Sequence, residues 1–197
     1  MRDEYIEHLI GLLSEKGREP MPLVIVEKRL TQMFDTLEES PKVSAKEAIE
    51  YSLEHWIVEK VVAYPESEYN LPSYRRVWCL KIPSKEERMR LKNLSSVQQA
   101  FLKMLYESEG NGRLGSIKEE DALKELQDAD YEVDKVPWIS DMLDISYVPT
   151  DDGYEIWYYL VPEDEKTEEY KKKLEEMSRR AWEKELRFMR LDSENDE

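Results

Sequence analysis

The spacing of apolar positions along this chain changes from helical to extended twice, in the same order each time. Apolar residues recur at helical spacing over 3–15, 23–37 and 44–55. Two segments that follow, 57–64 and 74–82, are β-branched or alternate in polarity, which is typical of strands. The first part of the chain is therefore predicted to form three helices followed by a two-stranded hairpin.

The same order returns after residue 94. One helix is predicted to open at Ser95 and a second at Ser116, and a third is predicted around 136–143, with a proline in its first turn. A hairpin is then expected from the strand patterns at 145–149 and 154–161, because the Asp-Gly pair between them is a strong turn signal.

Several of these helices have a recognisable start. A serine followed three residues later by Glu or Gln predicts a capping box, in which each side chain bonds the other residue's backbone N–H. We expect such boxes at three places: Ser44 with Glu47, Ser95 with Gln98, and Ser116 with Glu119.

Helices followed by an antiparallel hairpin resemble the winged helix-turn-helix fold. The resemblance rests on the order of segments and covers residues 3–83 and 95–162, about three quarters of the chain. It implies an α+β, mainly helical protein with two tandem winged-helix domains, followed by a long C-terminal helix. The expected division is a first winged-helix domain at 1–83, a basic connector at 84–94, an acidic second domain at 95–162, and the helix with an acidic tail at 163–197.

Composition narrows the class of protein. The single cysteine excludes an intrachain disulfide, and with only two histidines it cannot complete a Cys/His zinc site. We find neither a Gly-rich phosphate loop nor a nucleophile elbow, so we expect no enzyme, cofactor or metal. An acidic start and the lack of a long apolar run indicate a cytoplasmic protein outside the membrane.

The formal net charge of −16 is unevenly distributed. Residues 1–94 hold 15 basic against 17 acidic side chains, whereas 95–162 hold 5 against 15. A basic group lies on the first predicted wing and the connector after it, where Arg and Lys could contact DNA phosphates. Its members are Arg75, Arg76, Lys81, Lys85, Arg88, Arg90 and Lys92. The alternation of the second strand places Arg75 and Lys81 on its outward face.

The predicted third helices favour a different use. In DNA-binding winged helices this helix enters the major groove and presents polar or basic side chains to the bases. Here each one carries three acids and one lysine: Lys46, Glu47, Glu50 and Glu54 in the first, and Asp134, Lys135, Asp141 and Asp144 in the second. Base reading by either helix is therefore not expected.

A candidate interface lies in the second domain and the C-terminal helix. The last strand is apolar on both sides, so its Trp157 and Tyr159 side needs a cover, either the C-terminal helix or another protein. That helix has an apolar stripe near heptad spacing, which could dock on its own domain or pair in a homodimer. The stripe runs through Tyr170, Leu174, Met177, Ala181, Phe188 and Leu191, and the first four are the candidate interface residues.

Two functions remain open at this point. The first is a DNA-binding winged-helix protein, a dimeric transcriptional regulator whose first wing contacts the backbone of double-stranded DNA. The alternative is an acidic tandem winged-helix adaptor for protein–protein interaction, resembling the kleisin-binding subunits of chromosome-organising complexes.

Overall fold

The structure, a computed structural model, describes residues 3–37 except 16 and 18, residues 43–167, and the isolated residues 172 and 176. The chain divides into two compact units, Met1–Val161 and Pro162–Glu197. Helices and antiparallel sheets in the first unit confirm the mixed α+β class.

The second unit is described mainly at its start. A short 3-10 turn spans Glu163–Lys166, within which Lys166 bonds Glu163 at 2.9 Å. The apolar stripe predicted for the C-terminal helix, Tyr170, Leu174, Met177 and Ala181, lies outside the described residues.

The first half of the first unit contains three helices and a three-stranded antiparallel sheet. The strands are arranged in the order β1-β3-β2, so β3 is central. The elements are α1 (Asp3–Ser14), β1 (Met21–Pro22), α2 (Leu23–Asp35), α3 (Ala45–Glu54), β2 (Glu59–Ala63) and β3 (Val77–Lys81).

This half is built around the apolar stripes of its helices. Leu9 of α1, Leu30 of α2 and Ala48 of α3 are fully buried against Leu80 of the central strand. The predicted start of α3 is confirmed. The backbone N–H of Ser44 donates to Glu47, and the backbone N–H of Glu47 donates back to the Ser44 hydroxyl.

The segment predicted as a connector contains a helix, α4 (Lys85–Lys92), which begins with its own capping box between Ser84 and Glu87. Leu91 and Leu94 from this segment are buried in the same core as α5 of the second half. Residues 83–94 therefore take part in the packing of the first unit.

The second half repeats the sheet order. β8 is the central strand in the order β6-β8-β7, and β4 and β5 form a separate small hairpin. The elements are α5 (Ser96–Glu107), β4 (Glu109–Gly110), β5 (Arg113–Leu114), β6 (Ser116–Lys118), α6 (Glu119–Asp128), β7 (Leu143–Thr150) and β8 (Gly153–Leu160). The predicted Ser95–Gln98 capping box and the predicted β7–β8 hairpin are confirmed.

The predicted capping box at Ser116 and Glu119 is wrong. Ser116 lies in β6 opposite Tyr159 and is buried. The helix that follows, α6, begins after Lys118 with no side-chain cap. Residues 116–118 pair with β8, so α6 begins only at Glu119, and Ser116 lies two residues before its N-cap position, Lys118.

The prediction of a third helix in the second half is also wrong. Residues 129–142 form neither helix nor strand, and Leu143 already belongs to β7. Pro137 supplies no N–H and disfavours helical backbone in the residue before it. Asp130 and Asp141 adopt left-handed backbone with φ of 62° and 61°, which no α-helix continues through.

Candidate functional site

The basic residues near β3 do not form one surface, because Lys81 is buried. Its Nζ lies 2.8 Å from Glu87 Oε1 and 3.7 Å from Glu59 Oε2. The Lys81 and Glu59 side chains are only 6% and 4% exposed. The predicted outward position of Lys81 is therefore wrong, because α4 brings Glu87 over that side of the central strand.

This buried lysine also changes the acidity of its partner on α4. Burial by itself raises the pKa of Glu87, but hydrogen bonds from Lys81 and Ser84, together with the Lys81 charge, lower the pKa to about 2. Glu87 therefore stays ionised through the neutral range and joins α4 to the first sheet.

The loop between β2 and β3, residues 64–76, holds two arginines. Arg75 is exposed and forms no ion pair with any residue that the structure describes. Arg76 is half-buried, and its guanidinium lies 5.0 Å from the centre of the Tyr64 ring. Tyr74 beside them is 79% exposed. This loop therefore presents a small basic and aromatic surface.

The remaining cations lie on α4, beyond the other end of β3. Arg90 bonds Asp141 of the second half at 3.1 Å. Arg88 and Lys92 follow Lys85 by three and seven residues. These three side chains therefore share one side of the helix. Because β3 is roughly 16 Å long, this side and the Arg75 loop are two separate basic surfaces.

A groove of about 450 Å³ lies between α3 and α5, and we call it the α3–α5 groove. Its apolar lining comes from both halves. The residues are Leu23, Ile49, Leu53, Trp56 and Tyr106. The outward side of α3 therefore forms one wall of a groove that faces the second half.

The charged residues of the α3–α5 groove are four glutamates and three lysines. They are Glu27, Lys46, Glu50, Glu54, Lys60, Lys103 and Glu107. All except Lys60 are exposed. The groove thus combines a buried or half-buried apolar floor with a charged, solvent-facing rim.

Lys60 links the two halves beneath this groove. Its Nζ donates a hydrogen bond to the backbone carbonyl of Tyr106 and lies 4.3 Å from the centre of the Trp78 ring. The Trp78 and Tyr106 rings meet edge to face at 6.3 Å. Burial lowers the pKa of Lys60, and the nearby charge of Glu107 partly opposes that change. The Lys60 ammonium group therefore contacts both aromatic rings at the floor of the groove.

The β4–β5 hairpin covers the side of β8 that carries Trp157 and Tyr159, a cover that the sequence did not predict. Trp157 packs against Gly110 of the β4–β5 hairpin so closely that no side chain fits there. The Arg113 guanidinium lies 4.6 Å from the centre of the Tyr159 ring, and the Tyr159 hydroxyl donates to Asp144 at 3.0 Å. Both aromatic side chains are half-buried. The Asn-Gly pair at 111–112, a hairpin turn signal, could have predicted this cover.

No group of His, Cys, Asp and Glu side chains that could hold a metal ion occurs within the described ranges. The only cysteine, Cys79, is fully buried in β3, and burial raises the pKa of its thiol to about 12. Of the helices in the described part of the chain, none is long and apolar enough to cross a membrane.

A scan against protein-family models found no match, and searches of curated proteins and of solved structures found none either.

Proposed function

We propose that this protein is a non-enzymatic tandem winged-helix adaptor that binds another protein. The winged-helix assignment is supported by the shared sheet order, β1-β3-β2 and β6-β8-β7. In each half a helix precedes the first strand, and a hairpin of the last two strands closes the sheet. The second half would be a variant in which the third helix is replaced by the irregular segment 129–142.

The α3–α5 groove carries this proposal. In the first half the outward side of α3 is turned into the groove and carries Glu50 and Glu54, which would repel a duplex. An apolar floor with a charged rim is the usual composition of a protein-binding surface. A chain segment from a partner would cover Leu23 and Leu53, which are half-buried.

Affinity purification from cells that express the natural gene tests the proposal. The wild type should retain one or more proteins that the Leu53→Glu variant loses, because a charge on the apolar floor opposes docking. Gln32→Glu on α2, an exposed position outside the groove, is the matched control and should retain them. Identical sets of retained proteins in all three samples would contradict the proposal.

A second candidate function is contact with the backbone of double-stranded DNA through the first wing, as in a transcriptional regulator. The exposed Arg75 and the Arg76 side chain on the Tyr64 ring favour it, and Lys85, Arg88 and Lys92 on α4 would supply a second, separate basic surface. Lys81 and Arg90 contribute less, because each is ion-paired within the fold. Double charge reversal at Arg75 and Arg76 should weaken random-duplex binding and flatten its salt dependence.

Two further features belong to this proposal. The β4–β5 hairpin leaves part of Trp157 and Tyr159 exposed, and homodimerisation or partner contact through these parts and the C-terminal stripe would add a second interface. A buried, unpaired Cys79 thiol suits a reducing compartment, so we place the protein in the cytoplasm.

A further inference from the structure

We propose that the α3–α5 groove selects a partner segment in which apolar side chains are flanked by lysine or arginine. This inference rests on the proposed protein-binding function and adds the chemistry of the partner. It concerns a surface that differs from the Trp157 and Tyr159 side of β8.

The first support is the charge on the rim. Four exposed glutamates from α2, α3 and α5 line the groove. Of the three lysines, Lys46 lies 3.8 Å from Glu50, and Lys60 points inward to the Tyr106 carbonyl. Lys60 lies close enough to Glu107 for their charges to interact, and Lys103 is the outward base beside Glu27 and Glu54, so the lining keeps an excess of negative charge. A segment with positive side chains therefore complements this rim.

The second support is the distribution of apolar surface. Leu23 and Leu53 are half-buried at the groove, while Ile49, Trp56 and Tyr106 beneath them are buried. The floor is already packed, so a ligand would cover the two leucines without opening the core. A groove between two helices with such a floor suits an amphipathic segment.

Charge on the whole molecule acts in the same direction. The net charge of −16 attracts basic segments and repels acidic ones before contact, an effect that salt weakens. A nucleic-acid ligand would meet the glutamates with its phosphates and is disfavoured at this groove.

Binding of two matched peptides to the full-length protein tests the inference. Both peptides carry the same leucine anchors, but one has lysines and arginines beside them and the other has glutamates. Fluorescence anisotropy at low ionic strength should show the basic peptide binding about tenfold or more tightly than the acidic one. The preference should shrink as salt is added.

Reversal of the rim provides the variant test. Changing Glu27, Glu54 and Glu107 together to Lys should shift the preference towards the acidic peptide. The matched control also reverses three acids to Lys: Asp128, Glu132 and Asp134. These exposed acids lie at the end of α6 and in the irregular segment of the second half, and they do not line the groove. The control should keep the wild-type preference, since it lacks the local change in charge.

The outcomes separate this inference from the proposed function. Equal affinity for the two peptides, no binding of either peptide, or a preference unaffected by the rim reversal would each overturn the inference. None of these results would overturn the adaptor function, which the Leu53→Glu purification tests independently. Wild-type measurements with the two peptides decide the question even if the triple variant fails to fold.

Discussion

The two halves of the first unit build the same three-stranded sheet around different supports. In the first half, the third helix α3 packs on the sheet, and the buried Lys81 of the central strand joins the sheet to α4. In the second half, residues 129–142 replace the third helix with irregular backbone, and the β4–β5 hairpin covers the outer side of the sheet.

This difference shows that two sheets with the same strand order can be covered by different elements. A capped helix satisfies its own backbone and needs only an apolar stripe towards the core. An irregular segment instead relies on a few anchors, and here Val136, Ile139 and Met142 are buried in the second core. The functional consequence is that only the first half presents a third-helix surface, and that surface faces the α3–α5 groove.

The largest expected effect concerns the buried ion pairs of the first half. Lys81→Met would leave Glu59 buried without its cation, which typically costs about 3–5 kcal/mol of unfolding free energy. The matched change in the second half, Lys118→Met, removes a lysine whose partners Glu120 and Glu155 are solvent-exposed or half-exposed. Chemical denaturation should show a much smaller loss for Lys118→Met. Equal losses would mean that burial does not distinguish the two sites.

The next effect concerns the hairpin cover of the second half. Gly110→Ala would place a methyl group against the Trp157 ring and 2.9 Å from the backbone oxygen of Ser116. We expect a loss of about 1–3 kcal/mol from overpacking, measured by thermal unfolding. Gly11→Ala in α1 is the control, because its added carbon meets no atom within 4 Å and alanine favours a helix. A stable Gly110→Ala protein would show that the hairpin does not pack on Trp157.

The next smaller effect compares the capped helix α3 with the irregular segment 129–142 that takes its place in the second half. Ser44→Ala removes the hydroxyl that caps α3 and should lower the unfolding free energy by about 1 kcal/mol. Ser140→Ala, in the exposed irregular segment of the second half, should change it little. Urea denaturation measures both changes. A comparable loss for Ser140→Ala would argue against an uncapped, irregular 129–142 segment.

The smallest effect is a pH dependence carried by Glu87. The folded state lowers its pKa to about 2, so its contribution is present above its ordinary pKa and is lost as pH falls from about 4.5 towards 2. Because the carboxylate is partly exposed, we expect only on the order of 1 kcal/mol.

Denaturation of wild type and Glu87→Gln across this pH range measures that contribution. The stability difference between the two proteins should shrink as pH falls. Glu86→Gln, an exposed neighbour on α4, should show no such convergence. A difference that stays constant down to pH 2 would contradict the role of the Lys81–Glu87 pair.

Much of the local structure could be predicted from the sequence. Helical spacing identified α1, α2, α3 and α5, and serine capping boxes predicted the starts of α3 and α5. Asp152-Gly153 predicted the β7–β8 hairpin. These features depend on residues within about one turn of each other, so the chain carries their signals locally.

The candidate sites depended on partners that are distant along the chain. Ser116 has the spacing of a helix cap, yet pairing with β8 places it in a strand. The alternation through 74–82 assigned Lys81 to the outside, yet the capping glutamate of α4 encloses it. Neither outcome has a local signal, because each requires a second segment to arrive.

The sequence by itself therefore determined the α+β class, most of the helices and both hairpins that end in a central strand, since periodicity and turn chemistry act over a few residues. Only the tertiary structure decided that α3 and α5 enclose a groove, that Lys60 lies between the Trp78 and Tyr106 rings, and that the basic residues divide into two surfaces. Burial and ion pairing across the two halves set these features, and they exist only after the halves have packed together.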